Sequence, residues 1–232
     1  MQKKIIAISI IALILYSCDF TTATEYYNLS VDYQEKGNYK KEQELLEKVL
    51  EKEPKFRPAL FNHGANNSEF GNYEEAINDY QKIIDFDPDN TLVLMAIGNN
   101  YKRLEKYDTA VFYYNKALKT KGAFKSDTIY IELNMMNEFD KDNEYYVQKC
   151  VIEYERGLAY LNNGKYDLAI NDFKNTIEAD YEKPISYYWI GEAYIGLKDS
   201  TNICQSFIKS AKLGFEDAKD KLREYCLKKQ SE

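Results

Sequence analysis

The ten residues GNYEEAINDY at 71–80 return almost unchanged as GKYDLAINDF at 164–173. The pair marks a wider pattern. Gly37 and Tyr39 recur 34 residues later as Gly71 and Tyr73, Tyr107 follows after another 34, and Pro54 and Pro88 share the same spacing. A fixed period of this length constrains the fold more than any composition does. Each copy is one supersecondary unit that cannot bury its own apolar face, so the copies must stack on one another. With only 10 glycines and 4 prolines in 232 residues, breakers are sparse and helices are favoured. Aromatic residues make up 15% of the chain, too many for a disordered segment.

Five copies can be aligned. Repeat 1 (23–56) carries Tyr26, Leu29, Tyr33, Leu46 and Pro54; repeat 2 (57–90) carries Leu60, Gly64, Ala76, Tyr80 and Pro88. Repeat 3 (91–124) has Leu94, Ile97, Gly98, Tyr101, Ala110, Tyr114 and Ala117. Repeat 4 (150–183) has Gly157, Tyr160, Ala169 and Phe173, and repeat 5 starts near Pro184 with Tyr187, Ile190, Gly191, Tyr194 and Phe207. This pattern resembles the tetratricopeptide repeat family, whose units place apolar residues at positions 4, 7 and 11, small ones at 8, 20 and 27, an aromatic at 24 and proline at 32. The resemblance implies an all-α fold, a right-handed α-solenoid of about five helix pairs with a C-terminal capping helix. Repeat 1 departs from it, with Ser30 and Glu42 where glycine and alanine are usual, as terminal repeats often do.

The residue types fit helical hairpins. The small residues Gly98 and Ala110, and Gly157 and Ala169, are expected to let the two helices of a repeat approach closely. The GNY and GKY triplets mark the turn between them, where glycine can take a left-handed cap. Pro88 is expected to end a second helix by withholding a donor. After Gly214 the segment 215–232 reads as a capping helix and tail, with an Ala/Gly spacing similar to Sel1-like repeats and charged residues turned to water. Residues 23–124 thus hold repeats 1–3 and 150–214 hold repeats 4 and 5.

The period breaks once, at 125–149. Insertions in repeat arrays map to loops on one side, often a binding side. Here DTIYIEL alternates as a strand does, and the last part reads as an extension of the first helix of repeat 4, with Asp142 or Asn143 as N-cap.

Residues 1–17 read as a signal peptide: Lys3 and Lys4 precede an apolar stretch of 12 residues, too short to span a bilayer at ~20 residues. The stretch ends in LYSC, which resembles the lipobox of bacterial lipoproteins at Leu15, Ser17 and Cys18 and departs from it at Tyr16. The resemblance implies cleavage before Cys18, its lipidation, a linker over 18–22, and a membrane-anchored place in a bacterial cell envelope, facing the periplasm or the cell surface. Each buried methylene is worth ~0.8 kcal/mol, so several acyl chains anchor firmly.

Candidate chemistry is thin. His63 stands at a core-facing position and reads as structural. DFDPDN at 85–90 is spaced like a calcium loop but has Asn90 at its sixth position and Ala96 at its twelfth, where glycine and glutamate are needed. No cofactor, metal or nucleotide motif is recognised, and a net charge of −7 without basic clusters argues against nucleic acid. Cys204 and Cys226 flank Gly214 at similar distances and are read either as a disulfide locking the cap or as two buried thiols; Cys150 reads as packed in a helix.

The strongest functional expectation is a binding face. The family resemblance implies a concave groove lined by positions 2, 5, 9, 12 and 13 of each first helix. Those positions hold Tyr27, Phe61, Met95, Tyr154 and Tyr188, with Asn99, Leu158 and Glu192 one turn on and Lys102 and Arg103 beyond. An aromatic and apolar stripe of this kind suits an extended peptide or partner helix. Tyr27/Val31 and Phe61/Ala65 do not match the Lys/Asn clamp for terminal carboxylates found in some family members. The expected role is a non-enzymatic protein interaction scaffold or assembly adaptor, similar in layout to the helical-repeat lipoproteins of outer-membrane protein assembly or pilus secretin assembly. The alternatives are a sensory module coupled to a membrane kinase and an enzyme with a cryptic site in the insertion.

Overall fold

The computed structural model describes residues 20–124 and 146–227 and resolves them into helix pairs. Two compact units divide the chain, residues 1–66 and 67–232. The first contains α1 (Ala23–Glu35), α2 (Tyr39–Lys52) and most of α3 (Arg57–Glu69); the second contains α4 (Tyr73–Ile84), α5 (Thr91–Arg103), α6 (Tyr107–Ala117), α7 (Lys149–Asn162), α8 (Tyr166–Glu178), α9 (Lys183–Leu197), α10 (Ser200–Lys212) and α11 (Asp217–Leu222). The Cys18 and DTIYIEL readings lie outside the described residues, as do Asp142 and Asn143.

In the first unit the chain enters α1 through a capping box: Thr22 accepts from the Glu25 amide and the Glu25 carboxylate accepts from the Thr22 amide. Ala23, Tyr26, Leu45, Leu46, Val49 and Ala59 form the core. In the second unit the buried set Ala76, Asp79, Tyr80, Ile83 and Ile84 on α4 shows the helical spacing that recurs in the later second helices.

The intrarepeat turn is the same in every copy. Position 15 is left-handed at Gly37 (φ 67°), Gly71 (83°), Glu105 (58°), Gly164 (69°) and Lys198 (58°). The next amide reaches back to the carbonyl of position 11 each time: Asn38 to Tyr33, Asn72 to Asn67, Lys106 to Tyr101, Lys165 to Tyr160 and Asp199 to Tyr194, at 2.8–3.0 Å. This is the Schellman closure. The turn persists in the two repeats that lack its glycine, which the sequence pattern alone did not reveal. Proline acts as expected at the far ends. The last backward bonds run from Glu53 to Val49 and from Asp87 to Ile83, and Pro54 and Pro88 come next.

The close approach within a repeat seats an aromatic ring on the small residue of the first helix. A Cβ on Gly98 would lie 2.7 Å from the Tyr114 ring, one on Gly157 2.9 Å from Phe173, and one on Gly191 2.6 Å from Phe207. The small residue at position 8 therefore receives the aromatic of position 24. In repeat 1, where Ser30 replaces glycine, the shorter Leu46 replaces the aromatic, and both are fully buried.

Two expectations are corrected. Residues 147–148 are extended and do not prolong α7, which starts at Lys149 with Gln148 as N-cap. Val147 and Gln148 pair in parallel with Ala123 and Phe124, and the Val147 amide donates to Gly122 O at 2.9 Å. This pairing satisfies backbone groups at the base of the insertion and takes precedence over local helix propensity. The cap is short, six residues followed by a π-helical turn over Arg223–Leu227. Cys204 and Cys226 are bonded, with Cα atoms 5.8 Å apart, while Cys150 is a free, buried thiol.

Candidate binding surface

The face expected to bind a partner is built from the first helices, and its side chains divide between exposure and stacking. In the first unit Tyr27 is half-buried, its ring 5.2 Å from Phe56 and its hydroxyl accepting from Asn62 Nδ2 at 3.5 Å. Phe61 is half-exposed.

In the second unit, Met95 and Asn99 lie on α5, half-exposed, and the Tyr114 hydroxyl donates to Asn99 Oδ1 at 2.7 Å. Arg103 is exposed, while the Lys102 ammonium pairs with Glu155 of α7. On α7, Tyr154 meets Phe173 and Tyr181 edge-on at 5.9 and 5.8 Å and accepts from Trp189 Nε1 at 3.0 Å; Leu158 packs against the core formed by Ala169, Phe173 and Ile190. Burial pushes the Tyr154 hydroxyl pKa up, against the opposing pull of the Trp189 hydrogen bond.

Tyr188 packs among three rings. Its ring lies 5.1 Å from Trp189, 5.5 Å from Phe207 and 5.1 Å from Phe215. One turn on, Glu192 pairs with Lys221 of α11 at 2.8 Å. The capping segment thus covers in repeat 5 the face that earlier repeats leave half-open. Lys221 does not point to water as the sequence suggested.

Sequence reasoning missed the partners of these residues. Asn62, Glu155 and Trp189 occupy one position, the sixth of their repeats, and each reaches back to the repeat before it. Asn62 to Tyr27 and Trp189 to Tyr154 are both separated by 35 residues, a spacing visible once the register is known. The face is therefore a stacking ladder in part. Of these residues in the second unit, Arg103 is exposed, and Met95 and Asn99 lie beside it half-exposed.

Elsewhere, Arg156 makes a bidentate pair with Asp172 within repeat 4 (2.8 and 2.7 Å) and donates across to Asn115 Oδ1 of repeat 3 at 2.6 Å. Burial raises the Asp172 pKa and Arg156 opposes the rise. Among the described residues no cluster of His, Cys, Asp or Glu is arranged to hold a metal ion, and no helix is long and apolar enough to cross a membrane.

Models of the tetratricopeptide repeat match residues 58–90, 93–123 and 154–202. No curated protein matches the sequence. Among solved structures, the chain is similar to a crystal structure of MamA at 20% identity, with a TM-score of 0.66 over 88% of this chain and 95% of that one. MamA from Desulfovibrio magneticus RS-1 gives 16% identity and a TM-score of 0.66 over 85% of this chain and 97% of that chain. PilW, described as a widely conserved type IV pilus biogenesis factor, gives 14% and 0.61 over 85% and 78%. At these identities the likeness concerns the fold. Residues 58–90, 93–123 and 154–202 are tetratricopeptide repeats, carried in an all-α solenoid of successive helix pairs.

Proposed function

We propose that this protein is an interaction scaffold, tethered to an envelope membrane through lipidated Cys18, that holds an extended peptide or a partner helix on the face of its first helices. The observation that carries the reading is the section Met95, Asn99 and Arg103 on α5, half-exposed at its apolar end and exposed at its cationic end, set beside a ladder of stacked repeats. Such a face offers an apolar anchor and a charge that selects register. The fold shared with PilW, described as a pilus biogenesis factor, supports a role in assembly.

A photo-crosslinking residue placed at Met95 tests this in intact cells, with one at Phe112, a 57% exposed side chain on α6, as reference. A discrete protein adduct is expected from position 95 and not from 112. Met95→Glu combined with Arg103→Glu is expected to abolish that partner's co-purification while circular dichroism stays unchanged. Identical adducts from both positions, or capture unaffected by the double substitution, would overturn the assignment of the face.

A further inference from the structure

Two neighbouring grooves between second helices are built from the same repeat positions but are filled differently. Between α6 and α8 the groove is plugged. Arg156, the seventh residue of repeat 4, reaches across to Asn115 and is clamped by Asp172, with the Tyr160 ring 5.8 Å from its guanidinium carbon. Between α8 and α10 the corresponding residues are Ile190 for the arginine, Ser206 for the aspartate, Lys174 for the asparagine and Tyr194 for Tyr160. The plug is missing, and a cavity of about 330 Å³ lies there, lined by these four residues. Ile177 and Tyr187 join Ile190 and Tyr194 in its apolar and aromatic lining, and Asn202 and Gln205 add uncharged polar groups.

The charge at its mouth also differs. Lys174 and Lys209 both line the cavity, and neither enters an ion pair among the described residues. The Lys209 ammonium sits 5.3 Å above the Tyr187 ring, which holds it at the cavity. Glu178 lines the same space, leaving a net positive charge of one. Small-molecule sites are mostly apolar hollows of about 300–1,000 Å³ with a few polar groups that orient the ligand. This cavity is at the small end of that range, matched to one ring or short chain.

We propose that this cavity is a binding site for a small amphipathic carboxylate, its apolar body on Tyr187, Ile190 and Tyr194 and its carboxylate between Lys174 and Lys209. The site is distinct from the peptide-binding face, because its lining comes from α8, α9 and α10 and shares no residue with that face. A ligand there would occupy the volume that Arg156 fills one repeat earlier and would link α8 to α10 as that arginine links α6 to α8.

The test is titration of the full-length protein with phenylacetate, followed by calorimetry and by chemical shifts. Saturable binding in the millimolar range is expected, weakened about tenfold or more, 1.4 kcal/mol, by Lys174→Gln or Lys209→Gln. Rebuilding the plug with Ile190→Arg, Ser206→Asp and Lys174→Asn should abolish binding. Should that triple variant fail to fold, the two single lysine variants decide the matter. Phenylacetamide and inorganic phosphate should each bind at least about tenfold more weakly than phenylacetate, since one lacks the charge and the other the apolar body. The proposal is overturned by absence of saturation with phenylacetate, by unchanged affinity in the lysine or folded plug variants, or by equal binding of 2-phenylethylamine, which would place the charge recognition on Glu178.

Discussion

Glycine introduced at Glu105 or Lys198 should stabilise the array. Both residues stand at the left-handed position of the intrarepeat turn, at φ 58°, where the other three repeats have glycine. Holding an L-residue with a Cβ there costs about 1–2 kcal/mol. Glycine relieves that strain but loses more backbone entropy on folding, about 0.5–1 kcal/mol. The net gain is about 0.5–1 kcal/mol per site. Both side chains are exposed, so little contact is lost on removing them. The sites lie in different repeats and should add, to about 1–2 kcal/mol. For a chain of this size that is roughly 2–8 °C in Tm. Two controls isolate the cause. Gly164→Ala (φ 69°) should lose about 1–2 kcal/mol. Lys36→Gly, in the same turn as Gly37 but at φ −84°, should lose stability because no strain is relieved there. Thermal and urea melts by circular dichroism give the values, and hydrogen exchange in α6 and α10 localises the gain. A lower Tm for Glu105→Gly and Lys198→Gly, or a neutral Gly164→Ala, would show that the turn geometry is not what holds these helix pairs together.

Gly98→Ala and Gly191→Ala should each destabilise by about 1–3 kcal/mol, since the added methyl meets the buried rings of Tyr114 and Phe207 at 2.7 and 2.6 Å; urea titration measures it. Glu42 is 0% exposed, and neither of its carboxyl oxygens has a hydrogen bond of normal distance and angle; the Asn66 side chain opposes the effect of burial. Burial raises the Glu42 pKa, so its contribution favours the fold at acid pH and is lost as pH rises through the folded-state value. Glu42→Gln should therefore gain stability over the parent at neutral pH, by about 1–3 kcal/mol, and the difference should shrink toward pH 4; a pH-independent difference in Tm would exclude the ionisation. Cys18→Ser should release the protein from membranes and abolish fatty-acid labelling, measured by cell fractionation; equal labelling of variant and parent would refute lipidation.

Much of the candidate face was legible before any coordinates. Tyr27, Met95, Tyr154 and Tyr188 share one register position, and periodicity alone places them on one side of their helices. Their degree of commitment was not legible. Tyr188 is wedged against Phe215, and Glu192 is held by Lys221, because the cap folds back on repeat 5. Nothing local to Tyr188 or Glu192 encodes that contact. It depends on where a segment more than twenty residues away is brought by the turn at Gly214 and the Cys204–Cys226 bond.

By itself, the sequence determined the repeat and its register, the helix pairs, the prolines that stop them and the glycine turns, because each of these follows from side-chain size and backbone freedom at a fixed spacing. Tertiary structure alone decided three matters. Glu105 and Lys198 accept a left-handed backbone because the next amide must reach back to the carbonyl of position 11, as it does in the other repeats. Residues 147–148 pair with 123–124 in place of extending a helix, since the backbone groups at the base of the insertion find their partners across it. The groove beside Arg156 is filled and the one beside Ile190 is open, because whether a gap between helices is plugged depends on which side chains three separate helices bring to one point.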